Sequence, residues 1–144
     1  MRHGRKRERA ADLIAEVPLF LGCSQKELAR IGSLVTEVAV PAGKVLCREG
    51  EAGTEAFIIA EGEADVALKR KKLARLGPGQ IVGEMSLIDQ APRSATVTAV
   101  TDMTLFVLDA REFWTMVSEN PLVARKLLKN LAQRLRTVEG APTH

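Results

Sequence analysis

From residue 35 to residue 108 the apolar residues recur with a period of two, and no other feature of the chain limits its fold as strongly. Val38 and Val40 alternate with Glu37 and Ala39, and Ala64, Val66 and Leu68 alternate further on. Ala56-Phe57-Ile58-Ile59-Ala60 is a continuous apolar run of strand length, and Leu73 to Leu76, Val97, Ala99, Leu105 and Val107 extend the pattern. Pro41-Ala42-Gly43, Gly50-Glu51-Ala52-Gly53 and Glu61-Gly62 punctuate it as turns. Many short strands with glycine turns at close intervals predict an antiparallel sandwich or barrel.

Helical spacing brackets this region. Ala11, Leu13, Ile14 and Val17 predict a short amphipathic helix over 8–17, ending before Pro18, and Leu19-Phe20-Leu21 follows as an apolar knot. Ser24-Gln25-Lys26-Glu27 reads as a capping box, with Leu28, Ile31 and Leu34 or Val35 as the helix face behind it. Asp109 and Glu112 predict a second capping box, with Phe113, Trp114 and Val117 as the apolar face. Asn120-Pro121 predicts an N-cap followed by proline at the first helical position. The helix after it runs to about Val138, with Ala124, Leu127, Leu128, Leu131 and Leu135 along one side. That stripe spans little more than two heptads, so a homodimer through this helix is allowed and not compelled. The class is α+β.

Within the strand region one stretch, residues 77–97, carries chemistry. A glycine-proline turn leads to Ile81 and Val82, then Gly83 and Glu84, then room for one or two helical turns, then Pro92, Arg93 and a β-branched run. Gly83 has no Cβ and lets backbone approach a ligand. A short helix after it exposes free N–H groups that suit a phosphate. Arg93 supplies a fixed positive charge with a planar fork of donors. Ionised Glu84 only accepts hydrogen bonds, so it suits a sugar hydroxyl and repels a phosphate. Phosphate and sugar hydroxyl together describe a nucleotide. Gly77, Gly79 and Gly83 are spaced one residue too long for the dinucleotide fingerprint, and Pro92 precludes the long helix that motif opens. Gly43-Lys44 is followed by Val45, which excludes a P-loop.

Gly83-Glu84-Met85-Ser86-Leu87 and Pro92-Arg93-Ser94-Ala95-Thr96-Val97 resemble the phosphate-binding cassette of the cyclic nucleotide-binding domain family. That family includes the bacterial catabolite activator protein and the regulatory subunit of cyclic-AMP-dependent protein kinase. The resemblance covers about residues 18–138, with 1–17 a basic N-terminal segment and short helix and 139–144 a C-terminal tail. It implies an antiparallel β-roll, jelly-roll-like and barrel-shaped, flanked by N-terminal helices and two C-terminal helices, with a short helix in the cassette. It implies that Arg93 pairs with the exocyclic phosphate and that Glu84 takes the ribose 2′-hydroxyl. Gly83, Met85, Ser86, Ser94 and Ala95 complete the cassette, with backbone N–H groups of Gly83, Ser86 and Ser94 turned to sugar and phosphate. In the family a threonine at the place of Ser94 accompanies cyclic GMP, and serine or alanine accompanies cyclic AMP; the resemblance therefore favours cyclic AMP over cyclic GMP. Ile81, Val82 and Val97 are candidates for contact with the base, and each reads equally well as plain core. In many family members the last helix caps the base, which brings in Arg134, Leu135 and Val138, although a helix face packed on the roll accounts for them as well.

Composition narrows the function. Net charge is +3, concentrated in Arg2, Arg5, Lys6, Arg7 and Arg9 and in Lys69-Arg70-Lys71-Lys72. With no aromatic residues interleaved, these runs read as a solvated tail and a charged hairpin tip rather than a nucleic-acid surface. The only histidines are His3 and His144, and Cys23 and Cys47 stand far apart. Neither a histidine triad nor a zinc site is expected, and the cysteines read as reduced thiols. No apolar run approaches the roughly 18 residues of a membrane span, and no secretory leader is visible, so a cytoplasmic location is the expectation. With no hydrolytic apparatus beside Arg93, the site is expected to bind its ligand without turning it over; neither enzyme activity nor a cofactor is expected. The chain stops at His144 with no helix-turn-helix after the long helix, so output is expected through an unidentified effector protein and not through direct DNA reading. The competing expectation is an interaction module that keeps the fold without ligand.

Overall fold

The computed structural model describes the backbone of residues 2–138 and the side chains of residues 8–137. In chain order it contains α1 (Arg2–Ala15), a 3-10 turn (Pro18–Phe20), α2 (Gln25–Gly32), β1 (Thr36–Val40), β2 (Val45–Cys47), β3 (Glu55–Glu61), β4 (Ala64–Leu68), β5 (Lys71–Leu76), β6 (Ile81–Val82), a second 3-10 turn (Glu84–Leu87), β7 (Thr96–Ala99), β8 (Met103–Asp109), α3 (Ala110–Ser118) and α4 (Pro121–Val138). The strands form two four-stranded sheets, β1-β8-β3-β6 and β2-β7-β4-β5, and every named pairing is antiparallel. The expected barrel is therefore not closed: the roll is two facing sheets.

The apolar pattern explains the layering. Phe57, Ile59, Val97, Ala99, Met103 and Leu105 meet between the two sheets. Ala56, Ile58, Phe106 and Leu108, on the other face of the first sheet, meet Ile14, Phe20, Ile31, Phe113, Val123 and Leu127 from the helices. β3 is thus buried on both faces, which is why it reads as an unbroken apolar run while β4 alternates. The connection between β4 and β5 is Lys69-Arg70, both at positive φ (51° and 69°), the left-handed pair that a tight two-residue hairpin needs. The basic run 69–72 is a solvated hairpin tip, as the sequence indicates. Of the other basic run, Arg9 pairs with Glu61 at 2.8 Å, while the side chains of Arg2, Arg5, Lys6 and Arg7 lie outside the described residues.

The helix ends differ from expectation in instructive ways. α1 begins at Arg2 and stops at Ala15, because Val17 turns extended to lead into the proline of the 3-10 turn. Ser24 and Glu27 do form a reciprocal capping box, but α2 ends at Gly32, leaving Leu34 and Val35 beyond it. Asp109 accepts from Glu112 N at 3.0 Å, one half of the expected second box; its backbone is the last residue of β8, opposite Glu55. On α3 the inward residues are Phe113, Met116 and Val117, and Trp114 is 38% exposed with its ring against the edge of Phe113. The Asn120 side chain does not cap α4: it donates to Met116 O at 2.6 Å, closing the end of α3, while the Asn120 carbonyl accepts from Ala124 N. The expected leucine stripe of α4 is split. Val123 and Leu127 are buried, whereas Leu128 and Leu135 are 67% and 62% exposed.

Candidate functional site

Residues 77–97 fold against one end of the roll. Gly77 and Gly79 turn the chain from β5 into β6, with Gly79 N donating to Ile59 O. Gly83 stands at φ 76°, and a Cβ there would run into Arg93 Nη1. The segment after it is a single 3-10 turn over Glu84–Leu87, with Ser86 N donating to Gly83 O and Ser86 and Leu87 buried beneath. Ser94 and Ala95 are bends that precede β7, which begins at Thr96.

Arg93 is held by neutral groups of the roll. Its Nη1 donates to Ser86 Oγ at 2.8 Å, its Nη2 donates to the Glu55 carbonyl at 2.9 Å, and its Cζ lies 5.8 Å from the Phe57 ring centroid. The backbone is fixed as tightly: Arg93 N donates to Glu51 O at 2.7 Å, Gly50 N to Arg93 O at 2.9 Å and Gly53 N to Ala91 O at 3.2 Å. No carboxylate pairs with Arg93 among the described residues, so its charge and remaining N–H donors are available to an anion.

Glu84 is held differently. Its Oε2 accepts from Leu19 N at 3.0 Å and its Oε1 from Arg134 Nη2 at 2.6 Å, with the carboxylate side chain 12% exposed. Between the two charged residues lies a cavity of about 410 Å³, within the range of small-ligand sites. Val66, Leu76, Ile81, Val82 and Val97 form its apolar wall; Gly83, Glu84, Met85, Ser86, Arg93, Ser94 and Ala95 form its polar side.

The structure thus brings together the whole expected cassette and all three apolar candidates, Ile81, Val82 and Val97. It corrects the last-helix candidates. Arg134 contacts Glu84 and, through Nη1 at 3.3 Å, Met85 Sδ, and is not part of the cavity wall. Leu135, one residue on and so about 100° around the helix, is exposed to solvent. The Val138 side chain lies outside the described residues.

Several supporting residues escape sequence reasoning. Gly53 reads as a turn glycine, yet it is needed for clearance: a Cβ there would strike Ser86 Oγ and come within 3.2 Å of Arg93 Cζ. The Glu55 carbonyl, the Phe57 ring and the Leu19 amide have no sequence signature at all. Cys47 joins the wall of the cavity as a buried thiol. Burial pushes it above its ordinary range, partly opposed by the nearby Arg93 charge, so it presents a protonated thiol to the cavity. Among the described residues there is no cluster of metal-ligating side chains and no helix long and apolar enough to cross a membrane.

Comparison with known proteins agrees with this geometry. The sequence profile of the cyclic nucleotide-binding domain matches residues 37–120. Over 122 residues the chain is 40% identical to a cyclic nucleotide-gated potassium channel of Rhizobium etli, covering 85% of this chain and 34% of the channel. Over 127 residues it is 34% identical to the cyclic AMP receptor protein of Thermus thermophilus, covering 85% of this chain and 59% of the receptor. The chain therefore spans between about a third and three fifths of these two curated relatives. The N-terminal domain of a Streptomyces coelicolor transcriptional regulator superposes with a TM-score of 0.83 at 30% identity, covering 92% of this chain and 96% of that one. With the profile spanning more than half of its residues and the cassette intact from Gly83 to Val97, the chain belongs to the cyclic nucleotide-binding domain family.

Proposed function

We propose that the chain is a sensor module that binds cyclic AMP in preference to cyclic GMP and reports occupancy through α4. The observation that carries this reading is the pair of poles across one apolar cavity. Arg93 offers an uncompensated guanidinium and Glu84 an ionised acceptor. An anion at the first and a hydroxyl at the second match a cyclic phosphate and its ribose. Gly83, Ser86, Ser94 and Ala95 line the space between, and the apolar wall suits a base. The Ser94 position favours cyclic AMP by resemblance to the family. The relatives' names, a cyclic nucleotide-gated channel and a cyclic AMP receptor, support the ligand class.

The site is a binding site without turnover in this reading. The titratable side chains lining the cavity are Cys47, Glu84, Asp89 and Arg93. Cys47 is buried and neutral, and Glu84 is occupied by two donors. A ligand that binds one position of α4 better than another shifts the population of that helix, and an effector protein reads the result. The exposed Leu128 and Leu135, seven residues apart, give α4 a short apolar strip on which a second copy of the chain can pair.

Calorimetric titration with cyclic AMP and cyclic GMP side by side tests the assignment. Heat with both and a lower Kd for cyclic AMP are expected. No heat with either at millimolar concentration overturns the reading in favour of a ligand-free interaction module. Linear AMP after incubation overturns the absence of catalysis.

A further inference from the structure

The hairpin between β4 and β5 carries a charge cluster that the cavity does not use. Lys69, Arg70, Lys71 and Lys72 are consecutive and exposed. Among the described residues only Lys72 of the four forms an ion pair, with Asp65 at 3.5 Å. The two turn residues are strained. Lys69 and Arg70 stand at φ 51° and 69°, a left-handed pair that Asn-Gly or Asp-Gly adopts most readily. Two long cationic side chains hold that conformation at a steric cost. Strain of this kind marks positions where the side chains themselves carry a role. The turn is also anchored: Lys69 N donates to Glu49 Oε1 at 3.1 Å, and Glu49 N donates to Thr96 Oγ1 at 3.0 Å. Apolar residues flank the charges, with Leu68 38% and Leu73 57% exposed. Val66 stands opposite Ala74 and Ala67 opposite Lys72, so Leu73 is the extra residue of a β-bulge. It takes no part in the cavity wall that Val66 and Leu76, on the same two strands, help to form.

We propose that this hairpin tip is a docking surface for a bilayer rich in anionic lipid. The cations meet headgroup phosphates. Leu68 and Leu73 enter the apolar boundary beneath, while the lysine and arginine stems lie along it and keep their charged ends at the phosphates. A single-stranded nucleic acid offers the same phosphates, but its bases call for aromatic platforms, and residues 68–73 contain none. Exposed leucines beside unpaired cations fit an acyl boundary instead. None of residues 68–73 lines the cavity, so docking stands apart from the cyclic-nucleotide reading, and a chain that binds no nucleotide still docks.

The test is flotation of the full chain with vesicles of equal parts phosphatidylglycerol and phosphatidylcholine, beside vesicles of phosphatidylcholine alone. Binding to the anionic vesicles only is expected, weakening steeply with added salt. Lys69→Asn combined with Arg70→Gly removes two cations and relieves the turn, so affinity should fall roughly twentyfold while Tm holds or rises. Leu73→Ser leaves the turn and the charge intact and should lower affinity about fivefold. Arg125→Gln combined with Lys129→Gln removes the same charge from exposed positions of α4. It should change affinity by less than about twofold, because attraction to the surface falls off within a Debye length. No binding to the anionic vesicles, equal binding to neutral ones, or an equal loss in the α4 variant overturns the proposal. So does unchanged affinity in the turn variant or in Leu73→Ser. Tighter association with a nucleic-acid duplex than with the anionic vesicles at the same salt overturns it too, and makes the tip a nucleic-acid surface.

Discussion

The two poles of the site are built on opposite principles. Arg93 is set by its own neighbourhood: the cassette folds back on the turn at 50–53, and the guanidinium rests on Ser86, the Glu55 carbonyl and the Phe57 ring, all within the roll. Glu84 is set by the helical layer, through Leu19 and Arg134. The anion pole is therefore as rigid as the sheets that carry it, while the hydroxyl pole is only as rigid as the docking of α4. The proposed sensor reading needs both kinds. A preformed charge captures the ligand, and a conditional contact lets capture be felt elsewhere.

Removing the charge of the rigid pole has the largest expected effect. Arg93→Ala should lower cyclic AMP affinity by about 1.5–3 kcal/mol, or roughly ten- to more than a hundredfold, with the far-UV circular dichroism spectrum retained. Affinity within twofold of wild type in calorimetric titration would remove the phosphate role from Arg93. Gly53→Ala probes the same pole without touching a charge. The new Cβ displaces Ser86 Oγ, and Arg93 loses a hydrogen bond. A fall of about tenfold in affinity is expected, matched by Ser86→Ala. If Gly53→Ala weakens binding but Ser86→Ala does not, the glycine acts through the backbone and not through Arg93.

This contrast also marks what the sequence discloses. The cassette itself is legible because its parts are close together: Gly83, Glu84, Ser86 and Arg93 fall within eleven residues in a fixed order. The roll is legible because period-two segments and glycine turns are local signals. The conditional pole is not, because its partners lie 50 and 65 residues away from Glu84. The leucines of α4 mislead as well. Ala124, Leu128, Leu131 and Leu135 are spaced like a packed seam, yet Leu128 and Leu135 face solvent. The helix is fastened inward by a polar row at intervals of four, Lys126 on Glu27, Asn130 on the Leu19 and Leu21 carbonyls and Arg134 on Glu84. Three polar residues at i, i+4 and i+8 share one helix face, and that spacing is the signal by which the true inward face could have been found.

Asn130→Ala loosens the middle of that row. It strips two carbonyls of their donor and should cost about 1–2 kcal/mol of stability, lowering Tm by roughly 3–8 °C. It should also weaken cyclic AMP more than the 2′-deoxy analogue, because Leu19 then holds Glu84 less firmly. Equal weakening of both ligands would mean that the two poles are not mechanically distinct.

The smallest effect belongs to the outer end of the row, where Lys126 Nζ meets Glu27 Oε1 at 2.5 Å and ties α4 to α2. The hydrogen bond from Lys126 is the main cause that holds the Glu27 carboxyl below its ordinary range, aided by the Ser24 amide. A carboxyl with a lowered value in the folded chain adds stability that is fully present above its unfolded value, about 4.3. That stability is lost as pH falls through the lower folded value, where the native carboxylate takes up its proton. Since the pair is partly solvated, its contribution should stay under about 1 kcal/mol. Thermal melts of the wild-type chain and Glu27→Gln should therefore differ most near neutrality and converge on going to about pH 3. Arg93 bonds to Ser86 and the Glu55 carbonyl and to neither Lys126 nor Glu27, so cyclic nucleotide affinity at neutral pH should change by less than about twofold in Glu27→Gln, given how little such a pair contributes. A constant gap in Tm across that pH range would show that Glu27 acts through its capping geometry, which glutamine retains in part, and not through its charge.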